Sequence, residues 1–584
     1  MSDTNSNSIH EGSQDVIRPI SAVSSEPSVK PRNDSLLGVF YGIGMNVNNV
    51  IGSGIVTTPG IVWNAVKSPG IVILLWLIGG IVSMSGSLTY VELGAIHKIS
   101  GGETKYLQTA YPNPKLLMSY LFSCMFVLVI RPGLLCAVIQ TGAQYFWYTI
   151  KGHRFSDDIN NTSENGWNLP FSPFWFIKFL AILLLLIITV YHMLSNRWAA
   201  LINQGLAIIK LTTYSIIALA GLYRLCQNTD TSRANWKAPL NGNTDITTYS
   251  STTILSIMFT YNGWNNLNYS LDEFRNPEKK LILSNSISVA IVTIMYLLVN
   301  VAFISVVPAP LIVDNDKIDE TIAAEFFSQL FGGNKSITRF FTFLVVLSVM
   351  GTAAVDVWSG SRVIVAAAKS DFFPKYSQEL RNWNERFNTP INALLAQFVW
   401  CSFLMIIVGG SFSISTFVLF SNLASYSYWI FYFATGIGLL LIRKRNKNNK
   451  RKLQLEKDDE ELNRNNDRGN NNNNIKLLSK LEEKIFKVPL PIAGIFIISG
   501  FFILTFSFAV NVKCPKDNPN CDQIYLGHIR AQKLSPVLLS YGFLFVSLLC
   551  WYFFYYWWDT RKKQREAAIM RIDTGHDSMD SEIN

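Results

Sequence analysis

The sequence predicts an all-α membrane protein with twelve transmembrane helices. Of its 584 residues, 49% are hydrophobic and only 15% are charged, and the mean hydropathy is +0.23. This composition is too apolar for a soluble protein of this size. About twelve apolar stretches are long enough to cross roughly 30 Å of hydrocarbon as a helix. The chain is therefore predicted to cross a membrane repeatedly.

The apolar stretches divide the chain into five regions. A polar, Ser- and Asn-rich N-terminal tail (1–35) is expected to be disordered, and a ten-helix core (36–442) follows it. Next come a polar linker (443–487), helices 11 and 12 (488–558) and a C-terminal tail (559–584). Because Lys and Arg concentrate in alternate loops, both tails and the linker are predicted to be cytosolic. The spans are predicted at 36–63, 71–96, 117–148, 174–194, 199–223, 250–270, 284–307, 337–360, 390–409, 412–442, 488–510 and 534–558.

Enzyme motifs are absent from the sequence. It has no G-x-G-x-x-G after a strand, no Walker loop and no nucleophile elbow, and its six histidines lack metal-ligand spacing. The net charge of +10 is explained by the basic cytosolic loops. We therefore expect no enzymatic activity, cofactor, metal or nucleic-acid partner, and any transport is expected to be secondary rather than driven by ATP.

The first span is interrupted by Gly52, Ser53 and Gly54, between Ile51 and Ile55. Backbone groups left unpaired in hydrocarbon cost several kcal/mol each, so we expect this break to bind something. The half-helix after the break begins with free N–H groups and a positive dipole end, which suits a carboxylate. The carbonyls near Ile51 can accept from an ammonium group. A glycine kink that only lets helices pack closely is the alternative.

The sixth span is interrupted at a corresponding place. Paired broken helices in two halves of a membrane protein indicate a transporter's substrate site. Phe259 is expected to cover the substrate and Gly263 to leave room for its side chain, although aromatics in a span also serve packing. Unpaired amides in this break are costly unless they face a cavity. The predicted substrate contacts of this span are Phe259, Tyr261, Asn262, Gly263, Trp264 and Asn265.

Two intramembrane charges predict a coupling network. Lys210 falls near the middle of span five, where an ammonium costs about 2.5–3.5 kcal/mol. It is expected to stand in for a coupling sodium ion, to take part in proton coupling, or to tie helices together through carbonyls. Asp356 in span eight is predicted to pair with it directly. Arg131 and Glu92 are expected to hold the bundle together or to act in gating.

Several motifs occur in order along residues 36–445. They are Ile51 to Ile55, Leu128 to Pro132, Phe259 to Asn265 followed by Glu273 and Asn276-Pro277, and Ser361-Arg362. Together they resemble the L-type amino acid transporters of the amino acid–polyamine–organocation superfamily. The resemblance implies a five-plus-five inverted-repeat core with broken helices 1 and 6, two extra helices, and alternating access. It also implies that the first break binds the amino-acid carboxylate and amine, that the sixth span gates the pocket, and that Lys210 has the role of the family's span-five lysine.

The residues and the resemblance predict a fungal-type amino acid permease of the plasma membrane. The expected substrates are neutral, large L-amino acids, methionine being a candidate, and the expected mode is sodium-independent, by proton coupling or exchange. A polyamine or cationic amino acid carrier and a non-transporting amino acid sensor are the alternatives. Asn262 stands where animal members typically have glycine, which bears on pocket size. The resemblance implies that a partner glycoprotein would be linked through a cysteine in the outer loop after span three, as in animal members. Residues 149–173, which form this loop, contain no cysteine, so no disulfide-linked heavy chain is expected.

Overall fold

The computed structural model describes most of the chain between residues 39 and 553. The residues left out within this range are 99, 115, 154–172, 243–251, 270, 272–276, 314–320, 371, 374–375, 409–415, 464–485 and 510–522. The predicted tails (1–35 and 559–584) lie outside the described residues, as do Glu273, Asn276 and part of the predicted linker.

The described residues form helices and no strand, apart from one isolated bridge between Asn384 and Thr389. A π-helical segment, Phe126–Ile130, joins the helix Leu117–Met125 to the helix Arg131–Lys151, and a 3₁₀ turn, Asn266–Tyr269, follows the helix Thr252–Thr260. The α-helices are α1 (Val39–Val50), α2 (Gly54–Val66), α3 (Pro69–His97), α4 (Glu103–Ala110), α5 (Leu117–Met125), α6 (Arg131–Lys151), α7 (Pro173–Leu194), α8 (Asn196–Cys226), α9 (Asp230–Trp236), α10 (Thr252–Thr260), α11 (Pro277–Val306), α12 (Ala309–Val313), α13 (Ile322–Leu330), α14 (Lys335–Lys369), α15 (Ser377–Arg381), α16 (Ile391–Val408), α17 (Thr416–Asn463), α18 (Leu490–Phe506) and α19 (Gln523–Cys550).

The described helices account for the twelve predicted membrane segments. Eight of them are long and apolar enough to cross a membrane, and α16 and α18 contain shorter apolar helices. The remaining two segments are broken: α1 with α2 forms the first, and α10 with the 3₁₀ turn forms the sixth. The all-α membrane fold is therefore confirmed.

Polar side chains cap the N-terminal ends of two of the long helices. Ser68 caps α3 by accepting a hydrogen bond from the Ile71 N–H, and Pro69 occupies the first helical position. Asn334 caps α14 by accepting from the N–H groups of Ser336 and Ile337 at 3.1 and 3.2 Å. These caps satisfy backbone donors that a helix end leaves free.

The two broken segments pack against each other in opposite directions. The half-helix α10 contacts α2, and the Thr260 hydroxyl donates to the Thr58 hydroxyl at 3.0 Å. At the other end the 3₁₀ turn contacts α1, and the Asn49 amide donates to the Gly263 carbonyl at 3.3 Å. Since the first half of each segment meets the second half of the other, the two run antiparallel. This is the arrangement that an inverted repeat produces.

A buried carboxylate ties helix α17 to the start of α18. Glu92 on α3 forms an ion pair with Arg443 and accepts from the Val488 N–H at 2.7 Å. The Arg443 guanidinium also donates to the Val488 carbonyl at 2.7 Å. Helix α17 continues past this tie to Asn463, so the first part of the predicted polar linker is helical. Glu92 therefore connects α3 to α17 and to the residues just before α18.

Candidate functional site

The break between α1 and α2 presents free backbone donors. Residues 51–53 form a bend, and α2 resumes at Gly54. Among the described residues, no hydrogen-bond acceptor faces the N–H groups of Gly52, Ser53 or Gly54, nor the Ser53 hydroxyl. All three residues lie in the buried interior, where unpaired donors are costly. The break therefore offers a cluster of donors suited to an anionic group.

The carbonyl side of the same break is already hydrogen-bonded. The Tyr296 hydroxyl lies 2.7 Å from the Val50 carbonyl and 2.9 Å from the Thr260 carbonyl, so one tyrosine of α11 serves both breaks. The Ile51 carbonyl accepts from the Thr352 hydroxyl at 3.0 Å. The sequence suggested that the Ile51 carbonyl is free to accept from an ammonium group. In the structure, an ammonium group would have to share this carbonyl with the Thr352 hydroxyl.

Glycine is required where the two breaks approach each other. Gly263 has φ of +110°, and a Cβ there would lie 1.9 Å from the Asn49 Nδ2 atom. A Cβ on Gly54 would lie 2.4 Å from the Thr260 Oγ1 atom and 2.8 Å from the Thr260 Cα atom. A side chain at Gly54 would therefore press against the backbone of α10, whereas a side chain at Gly263 would displace the Asn49 amide and would be strained by the positive φ.

A cavity lies between the two breaks. Its volume is about 30 Å³, which is room for one or two water molecules. Seven of the predicted residues line it: Gly52, Ser53, Gly54, Phe259, Asn262, Gly263 and Asp356. Nine more residues line it that the sequence did not single out as contacts: Asn49, Val50, Arg131, Leu134, Val138, Thr260, Asn266, Thr352 and Tyr428.

The wall of this cavity contains buried polar atoms that lack a protein partner. They are the Asn49 Oδ1, Ser53 Oγ, Arg131 Nε and Asn266 Nδ2 atoms, and none bonds another described residue. Buried polar groups in native proteins are normally hydrogen-bonded. These four atoms can be satisfied by ordered water or by a polar ligand in the cavity.

Three predicted contacts belong to the surrounding apolar core instead. Ile51 and Ile55 are fully buried members of the hydrophobic cluster. The Tyr261 hydroxyl donates to the Trp76 carbonyl at 2.9 Å, and its ring packs against Trp76 and Tyr296. Tyr261 therefore points away from the cavity towards α3 and α11. A break in a helix turns successive side chains in directions that sequence spacing does not reveal.

The remaining contacts predicted in the sixth span support the cavity without lining it. The Trp264 ring packs between Tyr90 and Tyr432, at centroid distances of 5.0 and 5.1 Å. The Asn265 amide donates to the Glu103 Oε1 atom at 2.5 Å. Its carbonyl oxygen accepts from the Tyr432 hydroxyl at 3.2 Å.

A buried carboxylate lies at the centre of this supporting cluster. Glu103 begins α4, outside the membrane spans, and is fully buried. Burial raises the pKa of its carboxyl group, and hydrogen bonds from Tyr269 and Asn265 offset part of that rise. The Tyr269 hydroxyl lies 2.8 Å from that of Tyr428, which lines the cavity. A hydrogen-bonded cluster therefore connects α4 to the cavity wall. Nothing in the sequence singled out Glu103, because it lies between two predicted spans.

The predicted direct pair between Lys210 and Asp356 is wrong. Lys210 is fully buried and donates to the Asn48 carbonyl and the Thr352 hydroxyl, each at 2.7 Å. Asp356 forms its ion pair with Arg131 of α6. Depth in the membrane suggested the Lys210 pair, but the guanidinium of Arg131 faces Asp356 directly, while Lys210 reaches the break in helix 1. Lys210 thus ties α8 to α1 and α14.

A sequence profile of the amino acid permease family matches residues 37–529. This chain belongs to that family. Among the relatives of this chain, the low-affinity methionine permease of Saccharomyces cerevisiae is 26% identical over 63% of each chain. Large neutral amino acids transporter small subunit 2 of Oryctolagus cuniculus is 27% identical over 67% of each chain. The human b(0,+)-type amino acid transporter 1 is 27% identical over 69% of this chain and 76% of its own.

The chain spans less than two thirds of the length of the yeast relatives that it matches. The alignment covers 63% of the low-affinity methionine permease and 65% of the high-affinity one. The match to the family profile agrees with the resemblance to L-type amino acid transporters in the motifs around both breaks, and it includes every residue that lines the cavity.

Proposed function

We propose that this permease is a secondary transporter of neutral, fairly large L-amino acids, working by alternating access. One observation carries the proposal: in the cavity between the two breaks, the donors of Gly52, Ser53 and Gly54 and further polar atoms of the wall have no partner in the described part of the chain. A carboxylate satisfies such donors at a helix start. The family membership and the relatives' names support an amino acid as the ligand.

The residues of the cavity wall favour a substrate with a neutral, apolar side chain. Leu134, Val138 and Phe259 line it, and the Phe259 ring packs edge-on against Phe417 at 5.4 Å. Asp356 is the acidic residue among the described lining residues, and its charge is paired with Arg131. A polyamine or a cationic amino acid would find no free carboxylate there. Methionine is the candidate that the names of the yeast relatives favour.

The size of the cavity supports alternating access. About 30 Å³ is far too little for a large amino acid, so side chains or half-helices must move before substrate enters. Motion of this kind is the gating step of transporters built on broken helices. The permease therefore alternates between this closed arrangement and states open to each side of the membrane.

The position of Lys210 supports sodium independence. Its ammonium binds the Asn48 carbonyl beside the first break and the Thr352 hydroxyl on α14. A cation fixed at these oxygens repels a second cation and takes the ligands that a sodium ion would need. Energy then comes from a proton gradient or from exchange of one amino acid for another.

The proposal includes a topology and a location. Both termini are placed in the cytosol by the distribution of Lys and Arg, and the plasma membrane is the proposed site of action. A disulfide-linked heavy chain is not part of the proposal, because residues 149–173 contain no cysteine. Epitope tags at each end, probed before and after permeabilisation of cells, test this topology.

Uptake into proteoliposomes tests the proposed function. Labelled methionine, leucine, arginine and spermidine are offered to purified protein under imposed pH and sodium gradients, with protein-free liposomes as the control. We expect methionine and leucine to accumulate or exchange without a need for sodium. Methionine methyl ester, which lacks the carboxylate, should not compete. Binding of methionine with no net or exchange flux would defeat the transporter proposal and favour a sensor.

A further inference from the structure

A buried ion pair forms part of the cavity wall. Arg131 and Asp356 contact each other directly, and their side chains are only 4% and 7% exposed. Both residues line the same cavity as Gly52 and Gly54. They come from α6 and α14, whereas the free backbone donors come from the first broken segment. Backbone donors and the ion pair are therefore contributed by separate elements of the same site.

Local structure around Arg131 positions its guanidinium at the cavity. The π-helical segment Phe126–Ile130 ends immediately before it, and such segments shift the register of a helix, frequently at functional sites. The guanidinium carbon lies 4.9 Å from the centre of the Phe126 ring. Its Nε atom has no partner among the described residues. Arg131 is thus held by Phe126 and Asp356 while it keeps a spare donor.

Stability alone does not explain a pair at this place. Removing two charges from water costs more than their attraction commonly returns, and apolar replacements of buried ion pairs are often neutral or stabilising. A paired charge does, however, change what a cavity accepts, because like charges and unpaired charges across a buried contact are strongly unfavourable. The pair therefore calls for an explanation in terms of recognition.

We infer that the Arg131–Asp356 pair sets the charge selectivity of the site for the substrate's side chain. This inference rests on the proposed function. The backbone groups of the first break receive the charged groups common to all amino acids, so the wall decides between side chains. A wall whose two charges cancel favours neutral side chains. Removal of either partner leaves one charge unpaired, and a substrate side chain of opposite charge can then compensate it.

Because Lys210 lies near the ion pair, removing the charge of Asp356 and removing the charge of Arg131 should have effects of different size. Its ammonium is bonded to Thr352, one helical turn before Asp356 on α14, or about 6 Å along the helix axis. Asp356→Asn leaves Arg131 and Lys210 as two positive groups near the cavity. Arg131→Gln leaves the Asp356 carboxylate partly compensated by Lys210. The gain of glutamate transport in Asp356→Asn should therefore exceed the gain of lysine transport in Arg131→Gln.

Uptake ratios in proteoliposomes test the inference, because a ratio does not depend on how much protein is active. We expect Asp356→Asn to raise the glutamate-to-methionine ratio about tenfold or more, and Arg131→Gln to raise the lysine-to-methionine ratio by less. The double variant Arg131→Gln/Asp356→Asn is the matched control, since its wall is again neutral, and both ratios should stay near those of the wild type. Single variants that transport methionine with unchanged ratios would overturn the inference.

The wild type provides a test that does not depend on the folding of any variant. Glutamine, glutamate and lysine are compared as competitors of methionine uptake, since glutamine and glutamate have nearly the same shape. The inference predicts that glutamine competes measurably better than either charged amino acid. Glutamate or lysine competing as well as glutamine would overturn it, while methionine uptake itself would still support the proposed function.

Discussion

Thr352 connects Lys210 to the break in helix 1 through a single hydroxyl group. It accepts from the Lys210 ammonium at 2.7 Å and donates to the Ile51 carbonyl at 3.0 Å. Thr352→Val replaces this hydroxyl with a methyl group of similar size. A hydrogen bond from a charged donor contributes about 1.5–3 kcal/mol and a neutral one about 0.5–1.5 kcal/mol. The substitution should therefore reduce the free energy of unfolding by about 2–4.5 kcal/mol.

Thr352→Ser is the matched control for this substitution. It keeps the hydroxyl and removes only the methyl group, at a cost of about 1 kcal/mol. The free energy of unfolding is measured by SDS titration of purified protein in mixed micelles, followed by tryptophan fluorescence. Methionine uptake is measured on the same preparations and should fall in Thr352→Val more than in Thr352→Ser. Equal losses in the two variants, or a loss under about 0.5 kcal/mol in Thr352→Val, would refute the role of the hydroxyl.

Further predictions concern three positions around the two breaks. Gly263→Ala should strongly reduce methionine uptake, because alanine is strained at a φ of +110° and its Cβ would displace the Asn49 amide, whereas Gly205→Ala, which meets nothing within 4 Å, should leave uptake unchanged. Asn262→Gly removes a side chain from the cavity wall and should raise tryptophan uptake relative to methionine; an unchanged ratio would argue against contact. Burial raises the pKa of the Glu103 carboxyl group in the folded protein. The contribution of this group to the free energy of unfolding is therefore largest below its unfolded pKa of about 4.3, and it decreases as the pH rises through the folded pKa. Glu103→Gln should lose less unfolding free energy than the wild type between pH 4.5 and 7.5, and parallel losses would contradict this assignment.

The fold was predictable because its signals are local. Twelve apolar stretches give the membrane segments, and glycines at Gly52, Gly54 and Gly263 mark the two breaks. Such glycines are readable because a close approach of two backbones, or a positive φ, excludes a side chain. The antiparallel packing of the two broken segments then follows from corresponding breaks in the two halves of the chain.

The side-chain partners were not predictable from depth in the membrane. Hydropathy gives the height of Lys210 and Asp356 along their helices but not the direction in which each faces, so their direct pairing was wrong. Arg131, which pairs with Asp356, follows a π-helical segment, and no residue pattern announces that segment. Glu103 was missed because an acidic loop residue ordinarily lies in water, whereas here it is fully buried.

A cryo-electron microscopy structure of the protein with bound methionine would locate the substrate directly. We expect the carboxylate oxygens to lie within about 3.2 Å of the backbone nitrogens of Gly52 to Gly54. The side chain should lie between Phe259 and the Arg131–Asp356 pair. Methionine bound elsewhere, or with its carboxylate turned away from the first break, would show that the first break does not bind the substrate carboxylate.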